Sequence, residues 1–240
     1  MKSLASDRIP KGGLALDELK ASIEARLQVI QPAIPTPVRL VAVTKTFETH
    51  TVRSAYQLGI RDFGENKVQE ALAKQAALSD LMDATWHFIG HVQSNKSLKV
   101  LEHFDWIHSV DSLKLANRLD RQAAELNKSP NCCLQVKLVP DPSKDGFDLD
   151  ELKAALPELD KLMHLKICGL MVILPYGLNA TRATEIFKQA EALRIDLQQQ
   201  PWQHLRMDEL SMGMSGDFEL AIAAGATMVR IGSGLFGRRG

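Results

Sequence analysis

The sequence carries no excess charge of either sign, with 29 lysines and arginines against 29 aspartates and glutamates in 240 residues. No overall field therefore draws in nucleic acid or an anionic membrane, although a local basic patch stays open. Cysteine is scarce. Cys132, Cys133 and Cys168 make an odd count, and two of them are adjacent. That excludes a disulfide framework and fits no zinc-ligand spacing, so no metal site is expected. Reduced thiols acting as small hydrophobes, in a cytoplasmic protein, are the expectation. No run of about 18 apolar residues occurs, so no membrane-spanning helix is expected. "MKSLASDRIPKGG" lacks the apolar core of a signal peptide, and residues 1–12 are expected to form a flexible arm. Low-complexity tracts and internal linkers are also missing, so residues 13–240 are expected to form one domain.

What the sequence does have is alternation. The apolar spacing of "LALDELKASIEARLQVI" predicts an amphipathic helix from about Leu14 to Ile30, which the prolines of "QPAIPTP" end. Short apolar strands then alternate with helical stretches. The strand candidates are "RLVAVTK", "DFGE", "WHFIG", "WIHSVD", "CCLQVKL", "LKICGLMVI", "ELSMG" and "MVRIG". Between them lie helical segments such as "VQEALAKQAAL", "LKLANRLDRQAAELN", "TRATEIFKQAEALRIDLQQQ" and "FELAIAAG". Near-continuous apolar strands alternating with helices argue a parallel sheet covered by helices. Eight such units fit a single (β/α)8 TIM barrel; a doubly wound open sheet is the alternative.

In a barrel of this kind the C-terminal ends of the strands carry the active site. Lys45 ends the first strand candidate. It either snorkels to water or is a partly desolvated amine that attacks a carbonyl to form a Schiff base. Other polar residues gather at strand ends. Glu65 and Asn66 end the second strand, where Asn66 is also a possible helix cap with Glu70 in the first turn. His87 lies on the third strand, and it and His91 do not form the helical zinc pattern. Ser109 and Asp111 end the fourth, with Asp111 a possible cap. Met171, ending the sixth, is either a cofactor contact or plain core.

The last two strands end in small-residue loops, "SMGMSGD" and "RIGSGLFG". Their alternative reading is two tight turns with Asp217 as a helix cap. In the expected barrel, loops at this place commonly hold a phosphate. A phosphate here and an amine on strand one suit pyridoxal 5'-phosphate, whose ring nitrogen needs a further partner. Arg230, inside strand eight, is placed for that role; its alternative is an ion pair with an inward carboxylate.

"VAVTK", "FGENKVQE", "WHFIGHVQSNK", "HSVD", "SKDGF", "GLM" and "LSMGMSGDFELAIAAGATMVRIGSGLFG" together resemble the YggS/PROSC family of pyridoxal-phosphate homeostasis proteins, over roughly residues 14–238. The resemblance implies a single (β/α)8 barrel like the N-terminal domain of alanine racemase, with the Schiff-base lysine at Lys45. It puts Asn66, His87, Ser109 and Met171 near the ring. It puts Ser211, Ser215, Gly232 and Ser233 on the phosphate and Arg230 on the ring nitrogen. The chain departs from the family pattern at "TFETH", where many members have Lys-Pro, and at Lys137, where many have asparagine.

Two functions follow from this resemblance. One is a monomeric, non-catalytic carrier that limits free pyridoxal phosphate and hands it to apo enzymes that use it. The other is an amino-acid racemase. Racemisation needs a base on each cofactor face, and the chain has only Tyr56 and Tyr176 as tyrosines. Tyr56 falls in a helix on the outer ring, and Tyr176 follows strand six near the mouth. An arginine at the ring nitrogen only donates, which also favours the carrier.

Overall fold

A computed structural model describes residues 16–141 and 144–237. The expected N-terminal arm lies outside the described residues. The first element is helix α1 (Leu16–Ile30), followed by a single 3-10 turn at Gln31–Ala33. Eight strand–helix units follow. They are β1 (Arg39–Val43) and α2 (Thr49–Gln57), β2 (Asp62–Glu65) and α3 (Val68–Ala77), and β3 (Thr85–Phe88) and α4 (Ser97–His103). Next come β4 (Trp106–Val110) and α5 (Leu113–Glu125), then β5 (Asn131–Gln135) and α6 (Leu149–Leu159). The last are β6 (Lys166–Met171) and α7 (Ala180–Gln198), β7 (Glu209–Met214) and α8 (Phe218–Ala223), and β8 (Met228–Ile231) and α9 (Ser233–Phe236).

The strands form a closed barrel in sequence order, each parallel to its neighbours. The barrel expectation holds, and the open sheet is ruled out by the seam. There Arg39 pairs with Met228 and Val41 with Arg230, joining β1 to β8. No helix among the described residues is long and apolar enough to cross a membrane. Most strands end before their sequence candidates do: β1 stops at Val43, β3 at Phe88, β6 at Met171, and β5 at Gln135, beyond which Val136 still donates to the Met171 carbonyl and also bridges to Phe147.

The core has two parts. Strand positions facing the helices pack Ala42, Phe63, Phe88, Ile107, Leu134 and Leu170 against buried helix residues such as Leu101, Leu119 and Leu152. Inside the barrel a smaller cluster joins Trp106, Cys133, Met171 and Met228. Cys132 and Cys133 are fully buried and Cys168 partly so, and burial pushes their thiols above the ordinary range. They are inert packing groups, as the sequence implies. Gly169 shows how tightly the barrel is closed. A Cβ there would lie 1.8 Å from the backbone oxygen of Glu209, so β6 and β7 meet only because the position is glycine.

One ion pair is buried between the barrel and its helices. Lys74 Nζ on α3 donates to Glu65 Oε1 and to the Thr44 carbonyl, both at 2.6 Å. Thr44 Oγ donates to the same Glu65 oxygen at 2.7 Å. The two charged side chains are 8% and 0% exposed, and burial raises the Glu65 carboxyl despite its partners. This cluster ties α3 to the ends of β1 and β2, one residue before Lys45. Removing one buried partner strands the other charge, at a cost of about 3–5 kcal/mol, whereas replacing both with apolar groups is far milder. Lys74→Met is therefore expected to lower unfolding free energy by about 3 kcal/mol or more. Urea denaturation should also show the double variant Glu65→Leu/Lys74→Met recovering most of that loss.

Candidate functional site

Strand residues two apart share a face, so the register fixes which side chains reach the interior. Val43 lies against the position where Gly232 would carry a Cβ, at 3.4 Å. Arg230 and Gly232 share that face of β8, and Val41, Val43 and then Lys45 share it on β1. Lys45 and Arg230 thus belong to the same interior wall. Lys45 is half-buried just past the end of β1.

The chain bends sharply after the lysine. Thr46 has φ 67°, a left-handed conformation that a β-branched residue adopts only under constraint. The constraint is visible. The Thr46 amide donates to Glu70 Oε2 at 3.2 Å, and Lys67 holds the other Glu70 oxygen at 2.9 Å. These contacts, Lys67 first, draw the Glu70 carboxyl below its ordinary range. Glu70 is thus a clasp on the loop that carries Lys45.

Asn66 is not a helix cap. Lys67 takes that position on α3, with no side-chain cap bond. The Asn66 Oδ1 atom is buried and has no hydrogen-bond partner. Its backbone is crowded by the next loop, where a Cβ on Gly90 would lie 2.2 Å from the Asn66 carbonyl oxygen. The other expected caps are also displaced. Ser112 caps α5, and Asp111 instead meets His91 Nδ1 at 3.1 Å. Asp217 Oδ1 accepts from the Met214 amide at 2.6 Å and closes the β7 turn. Asp145 also lies 3.0 Å from His91 Nδ1, so one imidazole nitrogen faces carboxylates from two other loops of the mouth.

Arg230 is the dominant charge of the interior. It is 4% exposed, and burial pushes its guanidinium down to about 10, so it stays charged at neutral pH. Nη1 donates to Ser211 Oγ at 2.6 Å and Nη2 to the Val172 carbonyl at 3.0 Å. Among the described residues no carboxylate lies within ion-pair distance of it, so the ion-pair alternative is excluded.

Several residues that the resemblance places at the cofactor face elsewhere. Ser211 lies on β7 inside the barrel rather than in the loop, and its hydroxyl is shared by Arg230 and by His108 Nδ1 at 2.8 Å. In this arrangement it supports Arg230. His87 is fully buried, with Nε2 on Asp62 Oδ1 and Nδ1 on His108 Nε2, each at 2.9 Å. Both its nitrogens are engaged away from the mouth. The Ser109 hydroxyl is committed to the Gly90 carbonyl, and Met171 is fully buried core, the plainer of its two readings. In the loops, Ser215 Oγ accepts from the amides of Gly232 at 3.2 Å and Gly234 at 3.0 Å. It binds the β7 and β8 loops together and keeps its own proton to donate. Ser233 is exposed at the start of α9.

The sequence reading passed over His108 and Asp62. The signal was present: Trp106 and His108 alternate on one face of β4, and a histidine in that register points into the barrel. Asp62 and Gly64 share the inner face of β2 in the same way.

Comparison with known proteins is consistent at two levels. An alanine racemase from Clostridium difficile superposes with a TM-score of 0.72 at 13% identity, over 91% of this chain and 60% of that one, which is likeness of fold alone. The sequence family "Alanine racemase, N-terminal domain" matches residues 20–240. The pyridoxal phosphate homeostasis protein of Synechocystis sp. is 53% identical over 86% of this chain and 94% of its own length. That of Pseudomonas aeruginosa is 44% identical over 91% and 94%. The structure of PipY from Synechococcus elongatus with PLP bound has a TM-score of 0.86 at 53% identity, covering 90% of this chain and all of that one. The chain belongs to the alanine racemase N-terminal-domain family and, within it, to the pyridoxal phosphate homeostasis proteins.

The buried histidines give a pH dependence. Burial lowers both His87 and His108 below the ordinary value of 6.5, His108 the further, helped by the nearby His87 and Arg230. In the folded chain they resist protonation; in the unfolded chain they gain protons below pH 6.5. The unfolded state then binds more protons, so stability is complete above about 6.5 and falls as pH drops below it. The slope contributed is up to about 1.4 kcal/mol per pH unit for each histidine. Urea titrations between pH 8 and 5 should show the decline, and His108→Gln should remove its share of the slope.

Proposed function

We propose that this protein binds pyridoxal 5'-phosphate at the barrel mouth and acts in its homeostasis as a holder of the cofactor. The reading is carried by one observation: a buried guanidinium, Arg230, with no carboxylate within ion-pair distance among the described residues, on the interior wall it shares with Lys45. A buried cation with donor capacity and no anion calls for an acceptor ligand. The orphaned Asn66 Oδ1 supports the same conclusion, since a buried acceptor without a donor calls for one. The residues present therefore fit the cofactor.

Lys45 is the amine that would hold the cofactor covalently. Arg230 would face the ring nitrogen and Asn66 lie near the ring. Ser215, with the backbone of Gly232 and Ser233, would hold the phosphate. When bound, pyridoxal phosphate supplies an aldehyde for an amine and a ring that withdraws electrons. Arg230 only donates and stays charged, so it fixes its ring partner as an acceptor and limits that withdrawal.

The holder reading also rests on what faces Lys45. Tyr56 bonds to Asp83 on the outer ring, and Tyr176 is fully exposed on the rim. Neither is packed as a second base opposite the lysine. General acid–base help is worth about 10²–10⁴-fold, and its absence on one face is a severe handicap to racemisation. Transfer of the cofactor to apo enzymes, a monomeric state and a cytoplasmic location belong to the same proposal.

Borohydride treatment of the protein loaded with pyridoxal phosphate should fix the cofactor on the Lys45 peptide, read by mass spectrometry. An adduct on Lys67 or Lys137 would overturn the assignment. Racemase turnover with L-alanine should stay at background, while an apo enzyme should recover activity on mixing with the loaded protein. Robust racemisation lost in Tyr176→Phe would reverse the reading.

The phosphate contacts make a separate expectation. A charge-assisted hydrogen bond is worth roughly 1.5–3 kcal/mol, so Ser215→Ala should weaken pyridoxal-phosphate retention by about tenfold or more. Binding of unphosphorylated pyridoxal should barely change. Equal losses for both would mean that Ser215 acts only by tying the two loops together.

A further inference from the structure

Five side chains inside the barrel form one continuous chain. Asp62 Oδ1 meets His87 Nε2, His87 Nδ1 meets His108 Nε2, His108 Nδ1 meets Ser211 Oγ, and Ser211 Oγ meets Arg230 Nη1. Every step lies between 2.6 and 2.9 Å. His87, His108 and Ser211 are buried to 1% exposure or less, and Asp62 reaches solvent with a side chain 23% exposed. The chain crosses the barrel interior from the start of β2 to the cation on β8.

The chemistry of its two ends fixes its direction. A carboxylate only accepts, so His87 carries its proton on Nε2. A neutral His87 then accepts at Nδ1, which requires the proton of His108 to sit on its Nε2. His108 accepts at Nδ1, which requires the hydroxyl of Ser211 to donate to it. With its proton committed there, the Ser211 oxygen presents a lone pair to Arg230, which can only donate. No link can be reversed while Asp62 stays an acceptor and Arg230 a donor. Burial opposes charge on both rings, which keeps each at one proton. The rings are also held in place: His87 stacks on Trp106 at 5.7 Å and 10°, and Trp106 lies under Arg39, 4.9 Å away. Arg39 in turn sits 3.7 Å from Asp62 and 3.8 Å from Glu209.

We infer that Asp62, His87 and His108 are positioning residues for Arg230: a one-way hydrogen-bond chain across the barrel orients the Ser211 hydroxyl so that it anchors the guanidinium. The inference rests on the proposal that Arg230 faces the ring nitrogen of pyridoxal phosphate. It assigns a role to three residues through the hydrogen bonds that link them to Ser211. His87 thus serves the site three hydrogen bonds away from the arginine, through His108 and Ser211.

Imidazole nitrogen NMR on the full chain at pH 7, with and without cofactor, tests the direction directly. Both His87 and His108 are expected as neutral rings protonated at Nε2. A ring protonated at Nδ1, or doubly protonated, would overturn the inference. Asp62→Asn tests the role, because a side-chain amide can donate as well as accept and no longer fixes the direction. It should produce mixed tautomers and weaken pyridoxal-phosphate retention by about two- to tenfold, the net worth of one hydrogen bond. Retention of the analogue with CH in place of the ring nitrogen should not change, a contrast that mere loss of packing cannot give.

Should Asp62→Asn not fold, Ser211→Ala takes its place, with the same selective loss expected and Ser211→Thr restoring retention. If Arg230→Gln weakens retention and neither Asp62→Asn nor Ser211→Ala does, the positioning role is wrong and the cofactor reading stands. If Arg230→Gln itself has no effect, the cofactor reading of that arginine falls and the positioning role with it.

Discussion

A guanidinium buried in a protein interior, with no carboxylate within ion-pair distance among the described residues, is the constraint on which this structure turns. Desolvating such an ion is costly unless its donors are taken up by well-placed acceptors. Around Arg230 those acceptors are a hydroxyl and a backbone carbonyl, both uncharged. Neutral acceptors satisfy the hydrogen bonds and leave the charge. A carboxylate in the same place would have cancelled the field that an acceptor ligand at the mouth would feel. The inner barrel is arranged around this need. Its apolar cluster of Trp106, Cys133, Met171 and Met228 excludes water, and a line of neutral rings carries the polar contacts away from the charge.

On the same wall, the end of β1 handles strain as well as charge. Thr46 bends the chain into the left-handed region directly after Lys45, and Glu70 secures that bend through the backbone amide. Just before Lys45, the Thr44 carbonyl is held by Lys74 from outside the barrel. The lysine is therefore bracketed by two backbone clamps, both supplied by α3. The motif "FGENKVQEALAK" thus serves the residue ahead of it in sequence: Glu65, Glu70 and Lys74 all converge on the loop of β1.

Much of this was legible in the sequence because barrel architecture has a strong periodic signature. Eight apolar runs alternating with helical segments imply the parallel sheet, and the position of Lys45 at a strand end implies the mouth. The register of side chains within the barrel was harder to read. Ser211 belongs to a strand whose last residues also form a loop, and spacing alone does not say where one becomes the other. Its hydroxyl lies against Arg230, a contact that the spacing does not reveal. Ser109 and His108 are neighbours on opposite faces of β4, and the polar residue nearer the strand end attracted the reading. Contacts such as His87 to Asp62 join residues 25 apart through the curvature of the barrel, which no local pattern encodes. The capping roles did not form as expected: Lys67 rather than Asn66 precedes α3, Asp111 meets His91, and Asp217 stands at the N-cap of α8 with its carboxylate turned back to the Met214 amide.

The seam between β1 and β8 gives the fold a temporal order. Residues 39–42 pair with residues 228–231, so the contact that closes the cylinder spans nearly the whole described chain. Such long-range pairing is slow to form and cannot begin until the last strand exists. A chain emerging from the ribosome therefore carries Lys45 long before it carries Arg230, the cation that shares that wall. During that interval β1 has an unsatisfied edge and the lysine has none of its β8 surroundings. Closure of the cylinder and the meeting of the β1 and β8 walls are a single event, so a chain without β8 has neither.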